Sequence, residues 1–452
     1  MMNLYNTLTG EMEPLSCDDG VVNMYVCGIT PYSSAHLGHA MCAALFDVLR
    51  RYLEYKGYSV NHIQNFTDID DKMIAAANEQ GVTVKELADS NIEAYMAELN
   101  ALNVLPASKY PKATEEIDAI VDVIEGLIEK GYAYYVKGDV YFRVRKNHEY
   151  GKLSRRNLDD MLAGARLEVD ESKEYPGDFA LWKSAKPGEP FWGSPWGDGR
   201  PGWHIECTAM ALKYLGNKVD IHGGGRDLVF PHHENEIAQS EAYTGVKPFS
   251  RFWVHNGTLG YGAEKMSKSL GNVFSIQAAL DAFTPESLRL FFISSHYRSP
   301  LVFSNDVIQG QEKAIIRLNN AVKAESGTGS EVNVDRYVLA FEEAMDADLN
   351  TPRALSAIFD LTREINRGSS SGHNIEHAQS VLLKLLSVLG VDISTEEQHS
   401  GSSEPFIELL LELRQQLRTE KQFALADRIR DSLGDLGIRI EDRDNDTRWS
   451  RI

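Results

Sequence analysis

Cys27-Gly28-Ile29-Thr30-Pro31-Tyr32-Ser33-Ser34-Ala35-His36-Leu37-Gly38-His39 follows the apolar run Val21-Val22-Asn23-Met24-Tyr25-Val26. That run is short and rich in β-formers, which predicts a buried parallel strand. Beyond the quoted stretch, Phe46, Leu49, Leu53 and Tyr55 are interleaved with Arg50, Arg51 and Glu54, the spacing of an amphipathic helix starting near Leu37. A strand that hands over to a helix N-terminus opens an α/β unit. In open sheets of this kind ligands lie in the crevice at the carboxyl ends of the strands, and the helix N-terminus favours anions there. His36 and His39, with Gly38 between them, share a face of the first turn and can donate hydrogen bonds to phosphate oxygens. Ordinary capping and packing would also account for two such histidines, so HLGH alone leaves both readings open.

The chain has 452 residues, 43% of them hydrophobic, enough for about three domains with ordinary cores. No early apolar segment has a basic flank and cleavage site, and no apolar run approaches the ~18 residues of a membrane span, so the expected address is the cytoplasm. Cysteines at 17, 27, 42 and 207 form no disulfide framework, which fits a reduced compartment. A net charge of −20 argues against bulk electrostatic binding of nucleic acid. Residues 411–452, with nine Lys/Arg and nine Asp/Glu, are neutral within this acidic chain and are the expected place for local contacts with nucleic acid.

Residues 58–65 read as a second strand that completes a βαβ unit. Thr67-Asp68-Ile69-Asp70-Asp71-Lys72 opens the next helix; its aspartates suit a cap and first turn, and Mg²⁺ or Ca²⁺ binding is the alternative. Helical patterns continue through Val82–Asn103 and Thr114–Lys130. A hairpin about Lys137-Gly138-Asp139, with aromatic, Gly and Pro residues crowding 175–203, marks an insertion between the halves of a larger sheet. Lys218–His222 is a strand expected to end in Gly223-Gly224-Gly225. Pro231 suits a first helical position, which puts His232 and Glu236 on one helix face. Ser250–His255 is another strand, and Glu264–Asn272 a polar loop holding Lys265 and Lys268. From Asp306 the pattern is helical, Ala324–Asn333 and Ile393–Glu404 read as exposed connections, and two short helices (405–419 and 421–434) precede a charged tail.

Cys27, Cys207, His232 and Glu236 supply thiolate, imidazole and carboxylate, a donor set that suits tetrahedral Zn²⁺. Spacing alone does not assign ligands so far apart, and cysteines buried as small apolar residues are the alternative. HLGH and the lysines of KMSKS (265–269) could close on a triphosphate from opposite sides, meeting charge that builds on phosphate oxygens; a solvated basic loop is the plainer reading of KMSKS. Gly224 and Asp227 could admit an adenosine and seat its ribose.

Together HLGH, KMSKS and the strand pattern resemble the class I aminoacyl-tRNA synthetases, and the whole string resembles the cysteinyl-tRNA synthetase family. The resemblance runs nearly end to end, through CGIT, TDIDDK, Leu153-Ser154-Arg155, Asp178–Lys183, GRPGWHIEC, DIHGGG, FPHHENEIAQS, KMSKSLGN and Arg448-Trp449. It implies an α/β fold: a doubly wound Rossmann-type parallel sheet with a mixed insertion, an all-α helical bundle and a small anticodon-binding module. The corresponding segments are 1–112 and 201–260 for the halves of the catalytic domain, 113–200 for the insertion, 261–305 for the KMSKS region, 306–395 for the bundle and 396–452 for the module.

The resemblance further implies a cysteine–tRNA ligase: L-cysteine and ATP give cysteinyl-adenylate and pyrophosphate, and the cysteinyl group passes to the terminal adenosine of cysteine tRNA. Zinc would sit on Cys27, Cys207, His232 and Glu236 and bind the substrate thiolate; Mg²⁺ would accompany ATP. By the same resemblance His36, His39, Lys265 and Lys268 stabilise the transition state, and Gly38, Gly224 and Asp227 also contact ATP. Gly28, Thr30, Thr67 and Trp203 line the amino acid site. Arg428, Arg448 and Trp449 contact tRNA, and the protein is a monomer. Two positions depart from the family pattern: Met41 stands where an Arg usual in the family would follow the HLGH box, and Ile29-Thr30-Pro31 replaces Pro-Thr-Val. Both resemble a sister family that joins cysteine to the amino sugar of mycothiol. Glu236, the absence of an ERGGDP string and the complete C-terminal module favour the synthetase. A non-catalytic adenylate- or RNA-binding paralogue is the third reading.

Overall fold

The computed structural model describes residues 2–17, 19–157, 172–261, 264–265, 274–393, 404–443 and 446–451. The chain divides into two compact units, the first ending at Ile393. At the centre of the first lies a four-stranded parallel sheet in the order Ser250–Asn256, Val219–Gly225, Val21–Val26, Ser59–Gln64. The Val21–Val26 strand is buried because helices cover both faces of a parallel sheet, and Val22, Met24, Tyr25 and Val26 meet them from both sides. Val21–Val26 and Val219–Gly225 are neighbours whose onward connections leave in opposite directions. Cys27 comes directly after the first of them, with its amide bonded to the Gly223 carbonyl at 3.0 Å, and so stands at the switch point where such sheets open a crevice.

The insertion consists of the helix Ile117–Glu129 and a four-stranded antiparallel sheet built from Ala133–Val136, Asp139–Phe142, Phe179–Ser184 and Gly199–Pro201. The last of these strands leads directly into the helix Trp203–Leu215, which returns the chain to the central sheet. Four helices, Asn305–Val322, Asp335–Asp346, Thr351–Ser370 and Glu376–Val388, form the bundle. Its core is continuous with that of the sheet: Leu318, Ile358 and Leu385 belong to the same apolar cluster as Val22, Phe46 and Phe252. Arg289 ties the two parts. Fully buried, it pairs with Asp47 of the first helix and donates to the carbonyls of Leu102, Asn103 and Leu389. A buried charge is tolerated when it is paired and hydrogen-bonded in this way.

The strand Val219–Gly225 ends in its three glycines, as the sequence suggests, and packing makes glycine fit there: a Cβ on Gly223 would lie 2.2 Å from the Phe46 ring. One local expectation is corrected: Pro231 is not a first helical residue. The Phe230–Pro231 peptide is cis, Phe230 is extended, and the helix proper is Glu234–Thr244.

The second unit holds the helices Glu404–Thr419 and Phe423–Asp435 and an antiparallel hairpin, Ile438–Arg443 with Asp446–Arg451, where the sequence suggests only a charged tail. Ile407, Leu411 and Leu433 are its core, and Ile438, Ile440 and Trp449 pack on it.

Candidate active site and metal centre

His36 is the N-cap of the helix Leu37–Tyr55. Its Nδ1 accepts from the Gly38 amide at 3.1 Å, and the His39 Nδ1 accepts from the His36 amide at 3.3 Å, a capping box made by two imidazoles. The rings stack at 3.7 Å and 16°. Accepting at Nδ1 fixes both rings in the tautomer that carries its proton on Nε2, the nitrogen suited to donate to an anion. Gly38 between them is tight: a Cβ there would lie 3.0 Å from the His36 ring. Met41 is buried in the apolar cluster of Ile276, Ala279 and Leu288, so the departure from the family's Arg places a core side chain there.

Cys27, Cys207, His232 and Glu236 converge as buried side chains, and their donor atoms all lie within 4.8 Å of one another. The sulfurs of Cys27 and Cys207 are 3.8 Å apart, Cys27 Sγ is 3.4 Å from Glu236 Oε1, and His232 Nε2 is 3.1 Å from the same oxygen. Bonds of about 2.0–2.3 Å in a tetrahedral shell put donors roughly 3.3–3.8 Å apart, so the set fits a zinc-sized ion. The electrostatics agree. Burial opposes ionisation of Glu236, but His222 and His232 hold its carboxyl well below the usual range. Burial likewise opposes charge on Cys207, yet Cys27 and His232 bring its thiol down to about 6. Burial and Cys207 drive the Cys27 thiol up. Burial lowers His232, but Glu236 and Cys207 outweigh it and raise the imidazolium to about 10. Anionic donors that lean on one imidazolium are what a cation relieves.

A second layer surrounds the four. His204 Nδ1 meets His232 Nδ1 at 2.9 Å, leaving Nε2 to face the cluster. His222 Nε2 lies 3.5 Å from Cys27 Sγ and 3.3 Å from Glu236 Oε2. His233 Nε2 is 3.3 Å from Cys27 Sγ, and a chain runs on from His233 Nδ1 to His255 (2.7 Å) and from His255 to Thr7 (2.8 Å). Cys27, His222, His233 and Glu236 make a second donor set of the same compactness. Sequence reasoning missed these outer histidines. His222 lies in the DIHGGG strand and His233 beside His232, but nothing in their spacing tells an outer residue from a ligand.

Trp203 stacks on His232 at 4.4 Å and 24°, and with Thr30 and Asp70 it lines a cavity of about 620 Å³. Gly28 lies half-buried at the cluster, where its amide donates to Asn65 Oδ1 at 2.9 Å; the same oxygen is 3.6 Å from Cys207 Sγ, and Asn65 Nδ2 donates to Thr67 Oγ1 at 3.4 Å. Asn65, also missed, thus links two cysteine-site residues to one sulfur. A Cβ on Gly28 would lie 1.6 Å from the Asn65 carbonyl oxygen. Gly28→Ala is therefore expected to destabilise the protein by about 1–3 kcal/mol through overpacking, read as a lowered midpoint in denaturant at unchanged slope.

Gly224 is buried, with His233 and Leu228 filling the space a side chain would take, and Asp227 is exposed. Lys265 ends the short strand Glu264–Lys265, and Lys268 lies outside the described residues. In the second unit Arg428 is exposed on its helix, while Arg448 and Trp449 are neighbours on the last strand.

The model of the tRNA synthetases class I (C) catalytic domain matches residues 14–313, and that of the DALR domain matches 340–394. The chain is 53% identical over 453 residues to a cysteine–tRNA ligase of Dehalococcoides mccartyi, covering 99% of each, and 51% identical over 471 residues to that of Caldicellulosiruptor saccharolyticus, covering 100% of each. Among solved structures it resembles Mycobacterium tuberculosis methionyl-tRNA synthetase in complex with methionyl-adenylate, with a TM-score of 0.60 at 17% identity, covering 82% of this chain and 89% of that one. The last likeness speaks for the fold. Identity above one half along the whole length, over a catalytic-domain match that spans both halves of the sheet, shows that the chain belongs to the cysteine–tRNA ligase family of class I aminoacyl-tRNA synthetases.

Proposed function

We propose that the protein activates L-cysteine with ATP to cysteinyl-adenylate and pyrophosphate, then transfers the cysteinyl group to the 3′-terminal adenosine of cysteine tRNA. The single observation that carries this reading is the convergence of two thiols, an imidazole and a carboxylate, all buried, at the switch point of the sheet. The set fits zinc, which Cys27, Cys207, His232 and Glu236 would hold. Bound there, zinc supplies a borderline-soft site that prefers a thiolate to a hydroxyl and so selects cysteine over serine.

Gly28, Thr30 and Thr67 line the amino acid, and Trp203 walls it against His232. The stacked His36 and His39 aim Nε2–H donors at the α-phosphate, while Gly38 and Gly224 let the nucleotide approach and Asp227 receives its ribose. Lys265 and Lys268 neutralise the leaving pyrophosphate, and Mg²⁺ enters with ATP. No side chain attacks: the cysteine carboxylate is the nucleophile, and the residues orient it and stabilise charge. Arg428 and Arg448 bind tRNA backbone and Trp449 stacks on a base. The reading includes a cytoplasmic monomer; among the described residues no helix is long and apolar enough to cross a membrane.

The test is transfer of labelled cysteine, with ATP, to cysteine tRNA and in parallel to the mycothiol amino sugar. Acylation of the tRNA alone is the expected result, with cysteine-dependent ATP–pyrophosphate exchange preceding it. Ligation to the amino sugar alone, or no exchange at all, overturns the reading.

A further inference from the structure

A cavity of about 820 Å³ is lined by Arg155, Arg156, Arg226 and Arg298, with Asp227 its one acid among the described residues. The chain as a whole carries a net charge of −20, so four guanidiniums around one space are a local reversal of sign. Arg298 is engaged, since it pairs with Asp348 at 2.7 Å. Arg155, Arg156 and Arg226 are exposed and have no carboxylate partner among the described residues.

The backbone holds Arg155 at this cavity at some cost. Its φ of 56° is left-handed, a conformation that residues other than glycine rarely adopt and that tends to persist where function needs it. Its guanidinium donates to the Thr9 carbonyl at 3.0 Å, and Gly10 makes room for it, because a Cβ there would overlap the guanidinium. Two segments far apart in sequence thus fix one cation in the wall.

Arg156 lies over the Phe230 ring at 5.0 Å and Arg298 over that of Tyr5 at 4.3 Å. Planar faces beside unpaired cations suit a single-stranded nucleic acid, whose bases stack on rings and guanidiniums while its phosphates meet arginine. Location decides which strand. Phe230 also lines the cavity that holds Trp203 and Thr30, so the two spaces share a wall. The nucleotide that must reach the amino acid is the last one of the unpaired 3′ end of tRNA. A strand ending beside Trp203 and passing Phe230 leaves its preceding phosphates among the arginines.

We propose that this cavity holds the phosphates of the last unpaired nucleotides of tRNA, with Arg155 and Arg226 as the residues that position them, and that it serves the transfer step and not activation. The proposal rests on the reading of the protein as an enzyme that charges tRNA. Binding of cysteine tRNA, and of the same tRNA lacking its last three nucleotides, is measured against salt concentration on the purified full chain, with ATP–pyrophosphate exchange on the same preparations. Wild-type protein binds the intact tRNA more tightly and with the steeper salt dependence. Arg155→Gln and Arg226→Gln each weaken binding of intact tRNA roughly 5- to 20-fold and lower its salt slope by about 0.7, the share of one single-strand phosphate, while binding of the shortened tRNA stays unchanged. Exchange, which needs no tRNA, keeps its rate and its ATP KM within about twofold.

If both tRNAs weaken equally, the arginines touch the body of the tRNA and the proposal is wrong. If the ATP KM rises while tRNA binding holds, the cavity belongs to the nucleotide and the proposal is wrong again; unchanged binding of both tRNAs overturns it too. Should the variants fail to fold, wild-type protein still decides: equal affinity for the intact and the shortened tRNA overturns it. Failure of the functional reading looks different, because wild-type protein would then show no cysteine-dependent pyrophosphate exchange.

Discussion

On the proposed function, Cys207→Ala is expected to purify with less than about a tenth of the metal content of the wild-type protein and with its preference for cysteine over serine cut to about 10²-fold or below. Removing this one sulfur removes the donor that is readiest to bind as an anion. Cys207 is the thiol whose surroundings favour the anion, brought to about 6 against burial by Cys27 and His232, whereas burial holds Cys27 protonated. What remains is a protonated thiol, a carboxylate and an imidazole, a donor set far weaker for a thiophilic ion. A pocket that recognises the side chain by shape alone separates hydroxyl from thiol by only about 10²-fold, so the expected cysteine-to-serine ratio in pyrophosphate exchange falls to that level or below. Elemental analysis and competitive exchange measure the two effects separately. Cys42→Ala is the control. Its thiol, pushed up to about 12 by burial and Asp227, belongs to neither donor set, and the variant should keep both metal and selectivity. A Cys207→Ala protein that retains its ion and still rejects serine overturns the assigned shell.

What the sequence disclosed here, and what it concealed, follows from how far each feature reaches along the chain. The Val21–Val26 strand and the helix at Leu37 were legible because each is set by its own apolar pattern, and the helix begins where HLGH places it. Cys27, Cys207, His232 and Glu236 were legible as donor types, but their convergence depends on strand order and on the return of the helix Trp203–Leu215 from the insertion, which no local spacing encodes. His204, His222, His233 and His255 were concealed for the same reason, with their partners on different elements. The strand Val219–Gly225 was legible down to its closing glycines, but the reason for glycine at 223 was not: the Phe46 ring, from a distant helix, occupies the space a side chain would take. The terminal hairpin did leave a signal, since Ile438 and Ile440 alternate with charged residues and face Trp449 across the pair, but so many charges in a short tail masked the period of two.

On the proposed function His39 uses its two nitrogens for two tasks, and substitutions that keep one at a time should separate them. Nδ1 closes the cap by accepting from the His36 amide at 3.3 Å; Nε2 is the donor that the proposed function offers to the phosphate. An asparagine at this position places its amide oxygen near the old Nδ1 and leaves nothing at Nε2. A glutamine reaches Nε2 with an N–H and abandons Nδ1. His39→Asn is therefore expected to melt within about 0.5 kcal/mol of wild type, since the cap survives, while exchange slows by roughly 10²–10³-fold, the cost of removing one preorganised donor from a transition state that develops charge. His39→Gln should lose about 1 kcal/mol of stability with the cap and keep its rate within about tenfold. The stacking at 3.7 Å makes the separation sharper, because the His36 ring stays in register only while its neighbour holds the turn, so part of any loss in the glutamine variant comes from His36 and is recovered at lower temperature. Chemical denaturation and exchange kinetics on the same preparations decide. An asparagine variant with full rate and a glutamine variant without it would mean that the pair serves the helix rather than the phosphate, and the second half of the signature, Lys265 and Lys268, would then have to carry the charge of the transition state alone.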